Sequence, residues 1–310
     1  MSTPTRRLQF YKADVFTDHP FGGNPLAVVP DADDLSDREF QQIAREMNLS
    51  ETVFVVPPTD PAAIAKLRIF TPTQEIPFAG HPVIGTFHIL SVLNKFPLQE
   101  PVTRFMFECN IGVFPVELSV VKGKVEHVSM FQPEPQFLGT IDSIQDLYEI
   151  SQALGLNKAS IADTRLPIEI VSTGLPVVIV PVRTLTAVTS IGVDLTGTKT
   201  VCDRLGVNGI MVFTTLTVED WAHVHTRMFA APIGIVEDPA TGSASGALGA
   251  YLVKNGVVDV GPTTEIITEQ GYEIDRPSRI LIQVFSDDDM IQKIKIGGQT
   301  VMVAEGKLLF

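Results

Sequence analysis

Residues 228–256 read MFAAPIGIVEDPATGSASGALGAYLVKNG. A strand-like run leads to two adjacent carboxylates, Glu237 and Asp238, then to a proline and a loop of small residues. From about residue 241 the pattern becomes an apolar helix with no charge until Lys254. Asn255 and Gly256 supply a C-terminal stop. The free N–H groups at the start of such a helix, with its dipole, favour negative charge in front of them. Gly242, Ser243, Ala244, Ser245 and Gly246 are small enough for a ligand to approach the backbone closely. Asp238 stands just before that end. Held beside another carboxylate or an enolate, it is a candidate proton carrier. An Asp-Pro before a helix is equally an ordinary turn and cap. The segment lacks the lysine of a GxxxxGK[ST] loop and does not match GxGxxG, so as a phosphate-site signal it is weak.

A second stretch follows the same plan. Residues 74–86 read QEIPFAGHPVIGT and lead into FHILSVLNKF. Pro82 fits the first helical position. Residues 83–93 are apolar on nearly every side, and no charge appears until Lys95. A helix that is hydrophobic all round must be surrounded by protein. Residues 77–96 and 239–256, about 160 residues apart, share a proline turn, small residues, a charge-free helix and a closing Asn and Lys. That weak repeat predicts two similar domains, each with a buried central helix. His81 sits where the first of these helices begins. The positive end of the dipole favours its neutral form, which can hydrogen-bond or relay a proton. A capping or packing histidine is the plainer alternative.

The rest of the chain supplies the sheets. Residues 8–16 alternate like a strand, Gly22 to Pro25 form a turn, and residues 26–29 resume a strand. Asn24 reads first as a turn residue. Ser36 and Glu39 fit a capping box for an amphipathic helix over 37–47. Glu51 then opens a strand, and at such a joint a glutamate is ordinarily a solvated surface group. Further strands alternate with amphipathic helices near 142–154 and 196–205. Many strands and two all-apolar helices predict an α+β fold, each half a sheet curled around its helix. The boundary is expected near residue 120, so that residues 1–120 and about 293–310 form one domain and 121–292 the other.

Composition excludes several classes. The chain has 310 residues, 45% of them hydrophobic, and a formal charge of −13. Such a surface repels nucleic acid and anionic membranes, and no basic run reverses it. No apolar run reaches the roughly 18 to 20 residues of a bilayer span, and no leader peptide is visible, so a cytoplasmic location is the expectation. The two cysteines, Cys109 and Cys202, form no CxxC motif. His223 and His225 share one strand face but lack a third ligand, and His19, His88 and His127 are isolated, so no metal site is expected.

Together, FGGNPLAVV, NLSETVFV, RIFTPTQEIPFAGHPVIGT, VSTGLPVVIVPV, RMFAAPIGIVEDPATGSASGALGAYL and IGGQTVMVAEGKL resemble the phenazine-biosynthesis isomerase (PhzF-like) family, itself related in fold to diaminopimelate epimerase. The resemblance implies two domains, each a mostly antiparallel, barrel-like sheet around a central helix, with an active site in the cleft between them. It implies a cofactor-independent isomerase of a small carboxylate, with trans-2,3-dihydro-3-hydroxyanthranilate as the founding substrate, and a homodimer. It assigns acid–base catalysis to Glu51, His81 and Asp238. It places Gly80, Ser243 and Gly242 at the substrate, with Asn24, Thr173 and Gly174 lining the pocket, in contact with the substrate or one layer behind it. Epimerases of that fold carry a cysteine at each helix start; GHPVIG and DPATGSAS carry none. An amino-acid or hydroxy-acid racemase and a non-catalytic binder of small anions are the alternatives.

Overall fold

The computed structural model describes residues 6–287 and 290–310. The chain forms two units. The first runs to Phe131 and takes back Gly297–Phe310; the second is Gln132–Ile296. The boundary lies later than residue 120 for a local reason. Strand Gly112–Val121 pairs antiparallel with Lys124–Phe131, through a turn in which Lys122 and Gly123 both have positive φ (52° and 72°). Such a two-residue turn locks a hairpin into one register, so both strands stay in one unit.

In the first unit the strands pair in the order Thr300–Leu309, Arg7–Val15, Asn24–Val29, Glu51–Val56, Lys66–Phe70, Val102–Cys109, Gly112–Val121, Lys124–Phe131. Two of these pairings are parallel, Asn24–Val29 with Glu51–Val56 and Lys66–Phe70 with Val102–Cys109. Helix Gly80–Val92 touches Lys124–Phe131 at one end of that order and Arg7–Val15 and Thr300–Leu309 at the other. The sheet therefore curls around it, as an all-apolar helix requires. Within it, His81 to Phe87, Ile89, Leu90 and Ser91 are buried. Pro82 is its third residue and not its first, because the helix already begins at Gly80.

Helix Asp37–Met47 is different: only Phe40, Ile43 and Ala44 are buried. It covers the outer side of the sheet through a cluster with Val29, Phe54 and Phe70. The capping box is present, with Ser36 accepting from the Glu39 N–H and the Glu39 carboxylate accepting from the Ser36 N–H at 2.8 Å. Asn48 ends the helix in the left-handed region and turns the chain toward Glu51.

In the second unit the order is Gln136–Thr140, Glu169–Ser172, Pro176–Pro181, Ile210–Thr214, Val224–Ala230, Thr263–Gln270, Ser278–Asp287. Strand Val224–Ala230 shares one edge between two partners: Thr226 lies opposite Gln270, and Met228 opposite Asp238 of strand Ile235–Asp238. Helix Gly242–Lys254 touches Glu169–Ser172 and Pro176–Pro181 on one side and Thr263–Gln270 and Ser278–Asp287 on the other. It ends at Asn255, with Gly256 at positive φ, as the sequence leads one to expect. Its Tyr251 hydroxyl donates to the Pro167 carbonyl at 2.6 Å, so its one large polar group is satisfied. Helices Ile144–Ala153 and Leu195–Leu205 cover the other face, packing Ile150, Val201 and Cys202 with Val178, Val180, Ile210 and Val212. Strands with both faces covered read as continuous apolar runs, which explains LPVVIVPV.

The sequence reading missed strand Gln136–Thr140 and the five-residue helices Lys158–Ala162 and Leu185–Thr189. They are too short to establish a period. No helix among the described residues is long and apolar enough to cross a membrane.

Phe54 is fully buried between Phe40 (ring centroids 4.6 Å apart) and Phe70 (5.6 Å). Phe54→Ala should lower unfolding free energy by about 3–5 kcal/mol, the cost of an unfilled aromatic cavity. Urea unfolding of the two proteins measures it.

Candidate active site

In the first unit the chain brings Glu51, Gly80 and His81 together. Glu51 opens strand Glu51–Val56, and its register partner Leu26 lies two residues beyond Asn24. Gly80 and His81 are the first two residues of the central helix, which has no side-chain cap. A Cβ at Gly80 would meet nothing within 4 Å, so the backbone there is open to a ligand. His81 Nε2 lies 3.2 Å from Glu51 Oε2, and both atoms are closed to water. Burial pushes the His81 pKa down to about 3. The ring is thus neutral at physiological pH, and a neutral imidazole against a carboxyl can hold or pass a proton. Asn24 is fully buried.

In the second unit Asp238, Gly242, Ser243, Thr173 and Gly174 gather at the start of the other central helix. Asp238 is buried at the end of its strand. It is not the helix cap: Thr241 holds that position, again without a side-chain cap bond. The Thr241 hydroxyl instead donates to Asp238 Oδ2. The Gly242 carbonyl accepts from Gln132 Nε2 at 3.0 Å, and Gln132 Oε1 accepts from the Thr173 hydroxyl at 2.7 Å. That hydroxyl also lies 3.0 Å from the Ser243 carbonyl. Thr173 is 2% exposed and braces the helix start. Gly174 donates its N–H to Ser172 Oγ at 3.2 Å. Ser243 is only half-buried and remains a binding candidate. Gly246 completes the brace, because a Cβ there would overlap Gln132 Oε1.

Glu237 and Asp238, adjacent in sequence, face opposite ways, as alternate strand residues must. Arg227 binds Glu237 through two bonds of 2.9 and 2.8 Å and donates to the Val188 and Ile191 carbonyls. On the same strand, His225 lies 2.7 Å from Glu269 and 2.9 Å from Glu273. Burial alone would lower its pKa, but both carboxylates outweigh burial and raise it to about 9. His225 is therefore a structural cation. His223 accepts a bond from the Ile267 N–H and does not join it. Among the described residues no group of three or more His, Cys, Asp or Glu side chains could hold a metal ion.

Sequence reasoning missed Gln132, Thr241, Arg227 and Gln270. No local pattern marks them, since the bonds of Gln132 to Gly242 and Gln270 to Thr241 span 110 and 29 residues.

Two outcomes follow from this geometry. Gly271 follows Gln270 with φ +82°, and a Cβ there would lie 2.6 Å from the Pro239 carbonyl and against that of Arg276. Gly271→Ala should cost about 2 kcal/mol or more in urea unfolding, since neither backbone group can yield cheaply. The second concerns acid. His81 stays neutral in the fold but becomes charged below about pH 6.5 when unfolded, so its contribution favours the folded protein least at low pH. Between pH 6.5 and 4 it should remove on the order of 3 kcal/mol. His81→Asn should flatten that limb of stability against pH. His225 has the opposite sign, its contribution being full below 6.5 and lost as pH rises through 9.

The chain is similar to known proteins along nearly its whole length. A family model described as phenazine biosynthesis-like protein (PhzC-PhzF) matches residues 13–306. The trans-2,3-dihydro-3-hydroxyanthranilate isomerase of Pseudomonas aeruginosa is 35% identical, over 95% of this chain and 96% of its own. A PhzF-family phenazine biosynthesis protein from Bacillus anthracis superposes with TM-score 0.89 at 31% identity, covering 98% of this chain and all of its own. A hydroxyproline epimerase from Agrobacterium vitis shares the fold, with TM-score 0.65 at 13% identity over 99% and 93% of the two chains. The chain belongs to the phenazine biosynthesis-like family, and it is an isomerase of that family.

Proposed function

We propose that the protein moves a proton within a small carboxylated substrate, cyclic or enolic, by acid–base chemistry of its own side chains. The observation that carries this reading is the dry Glu51–His81 pair at the uncapped start of a buried helix. Glu51 takes a proton from a substrate carbon and returns it elsewhere on the conjugated system. His81, neutral at working pH, hydrogen-bonds to the substrate and relays the proton. Backbone N–H groups at an uncapped helix start suit a substrate carboxylate or a developing enolate. In the second unit the Ser243 hydroxyl is the candidate binding group and Asp238 the candidate proton carrier. The homodimer expected from the family is part of this reading, and light scattering tests it.

The thiols support it by elimination. A racemase working through two cysteines needs accessible thiolates. Cys109 and Cys202 are buried, and burial raises both pKa values, that of Cys202 to about 12. Neither lies at a helix start.

The name of the Pseudomonas relative supplies the first compound to try, trans-2,3-dihydro-3-hydroxyanthranilate. In deuterated water the wild type should move its double bond and incorporate deuterium. Glu51→Gln should slow both by about 10²–10⁴-fold, the usual value of a positioned general base. Equal exchange by both proteins removes Glu51 as the base. Inversion of a stereocentre with the double bonds unmoved assigns the chain to the racemases. Tight binding without turnover by any variant assigns it to the anion binders.

A further inference from the structure

Beside Asp238 three polar groups form a closed circuit whose proton directions are determined by their chemistry. Gln270 is fully buried. Its carboxamide oxygen accepts from the Thr241 N–H at 3.2 Å. A backbone N–H can only donate, so that end of the amide must be oxygen. The nitrogen end then donates to the Asp238 carbonyl at 2.6 Å and to Thr241 Oγ1 at 3.1 Å. A flipped amide would set donor against donor and acceptor against acceptor. The Thr241 hydroxyl thus receives a bond from Gln270, and its single hydrogen points at Asp238 Oδ2. The neighbouring charges are committed elsewhere, Glu237 to Arg227 and Glu269 to His225.

We infer that Gln270 and Thr241 are positioning residues that fix the Asp238 carboxyl, with Oδ2 held as the acceptor of the Thr241 hydroxyl. The inference rests on the proposed role of Asp238. The strand geometry makes the circuit possible. Val224–Ala230 offers one edge to both Thr263–Gln270 and Ile235–Asp238, so the Gln270 side chain meets the chain turning from Asp238 into the helix. Gly271 lets the backbone leave Gln270 at a positive φ, close under the Pro239 carbonyl. Gln270 orders Thr241, and Thr241 orders Asp238.

The test uses the full chain with carbon-13 in the aspartate carboxyls, the Asp238 signal being identified by its loss in Asp238→Asn. At neutral pH, Thr241→Ser should leave that signal in place, because the hydroxyl is retained. Thr241→Val, nearly isosteric, and Gln270→Met should both displace it. With trans-2,3-dihydro-3-hydroxyanthranilate, Thr241→Val should lower kcat about tenfold or more while KM stays within about twofold, and Thr241→Ser should restore kcat, as expected for a lost hydrogen bond. An Asp238 signal unmoved by Thr241→Val overturns the inference. Should Gln270→Met fail to fold, the two Thr241 variants decide alone. Should the wild type leave that compound unchanged, the substrate reading fails, and the carboxyl signal still decides this one.

Discussion

A helix with no polar face cannot rest on a surface, and both halves of this protein are built around that constraint. Gly80–Val92 and Gly242–Lys254 are buried along most of their length. In each unit the helix touches strands from both ends of the pairing order, which only a curled sheet allows. Water reaches such a helix only near its ends, so the polar chemistry collects there. Both helices start without a side-chain cap. An absent cap costs about 1 kcal/mol, and the N-terminal end of a helix favours an anion.

Under the proposed function, a chain of charge −13 has to attract a carboxylate. The attraction comes from amide groups and helix dipoles and needs no lysine cluster. The carboxylates already present are each tied to a definite partner. Glu237 is paired with Arg227, and Glu269 and Glu273 share the protonated His225. Asp238 accepts a hydrogen bond from the Thr241 hydroxyl. Buried ion pairs of this kind contribute little net stability, but removing one partner leaves an uncompensated charge. The Arg227–Glu237 pair thus fixes the strand on which Asp238 rides more than it strengthens the fold.

Much of this was legible in the chain alone. Capping residues, stop signals and apolar periodicity act within a few positions, so Ser36, Glu39, Asn255 and Gly256 stand where local rules put them. The two charge-free helices announced their own burial. The paired motifs around Gly80-His81 and Asp238–Ser243 pointed to the family, and the cysteine-free helix starts argued against thiol chemistry. The domain boundary was less legible, because a hairpin can carry a unit beyond the place where the pattern changes.

Side-chain partnership was not legible. That Glu237 turns to Arg227 while Asp238 turns to Thr241 follows from strand alternation and from the edge both strands share. That Thr173 braces the second helix start follows from its bonds to Gln132 and to the Ser243 carbonyl. That Gln132 and Gln270 brace the second helix start depends on bonds spanning 110 and 29 residues. Local propensity and spacing, which the sequence expresses directly, determined the helices, their ends and the family. Which polar group faces which is decided only when distant strands are laid side by side, because hydrogen bonds depend on distance and direction in space and not on separation along the chain.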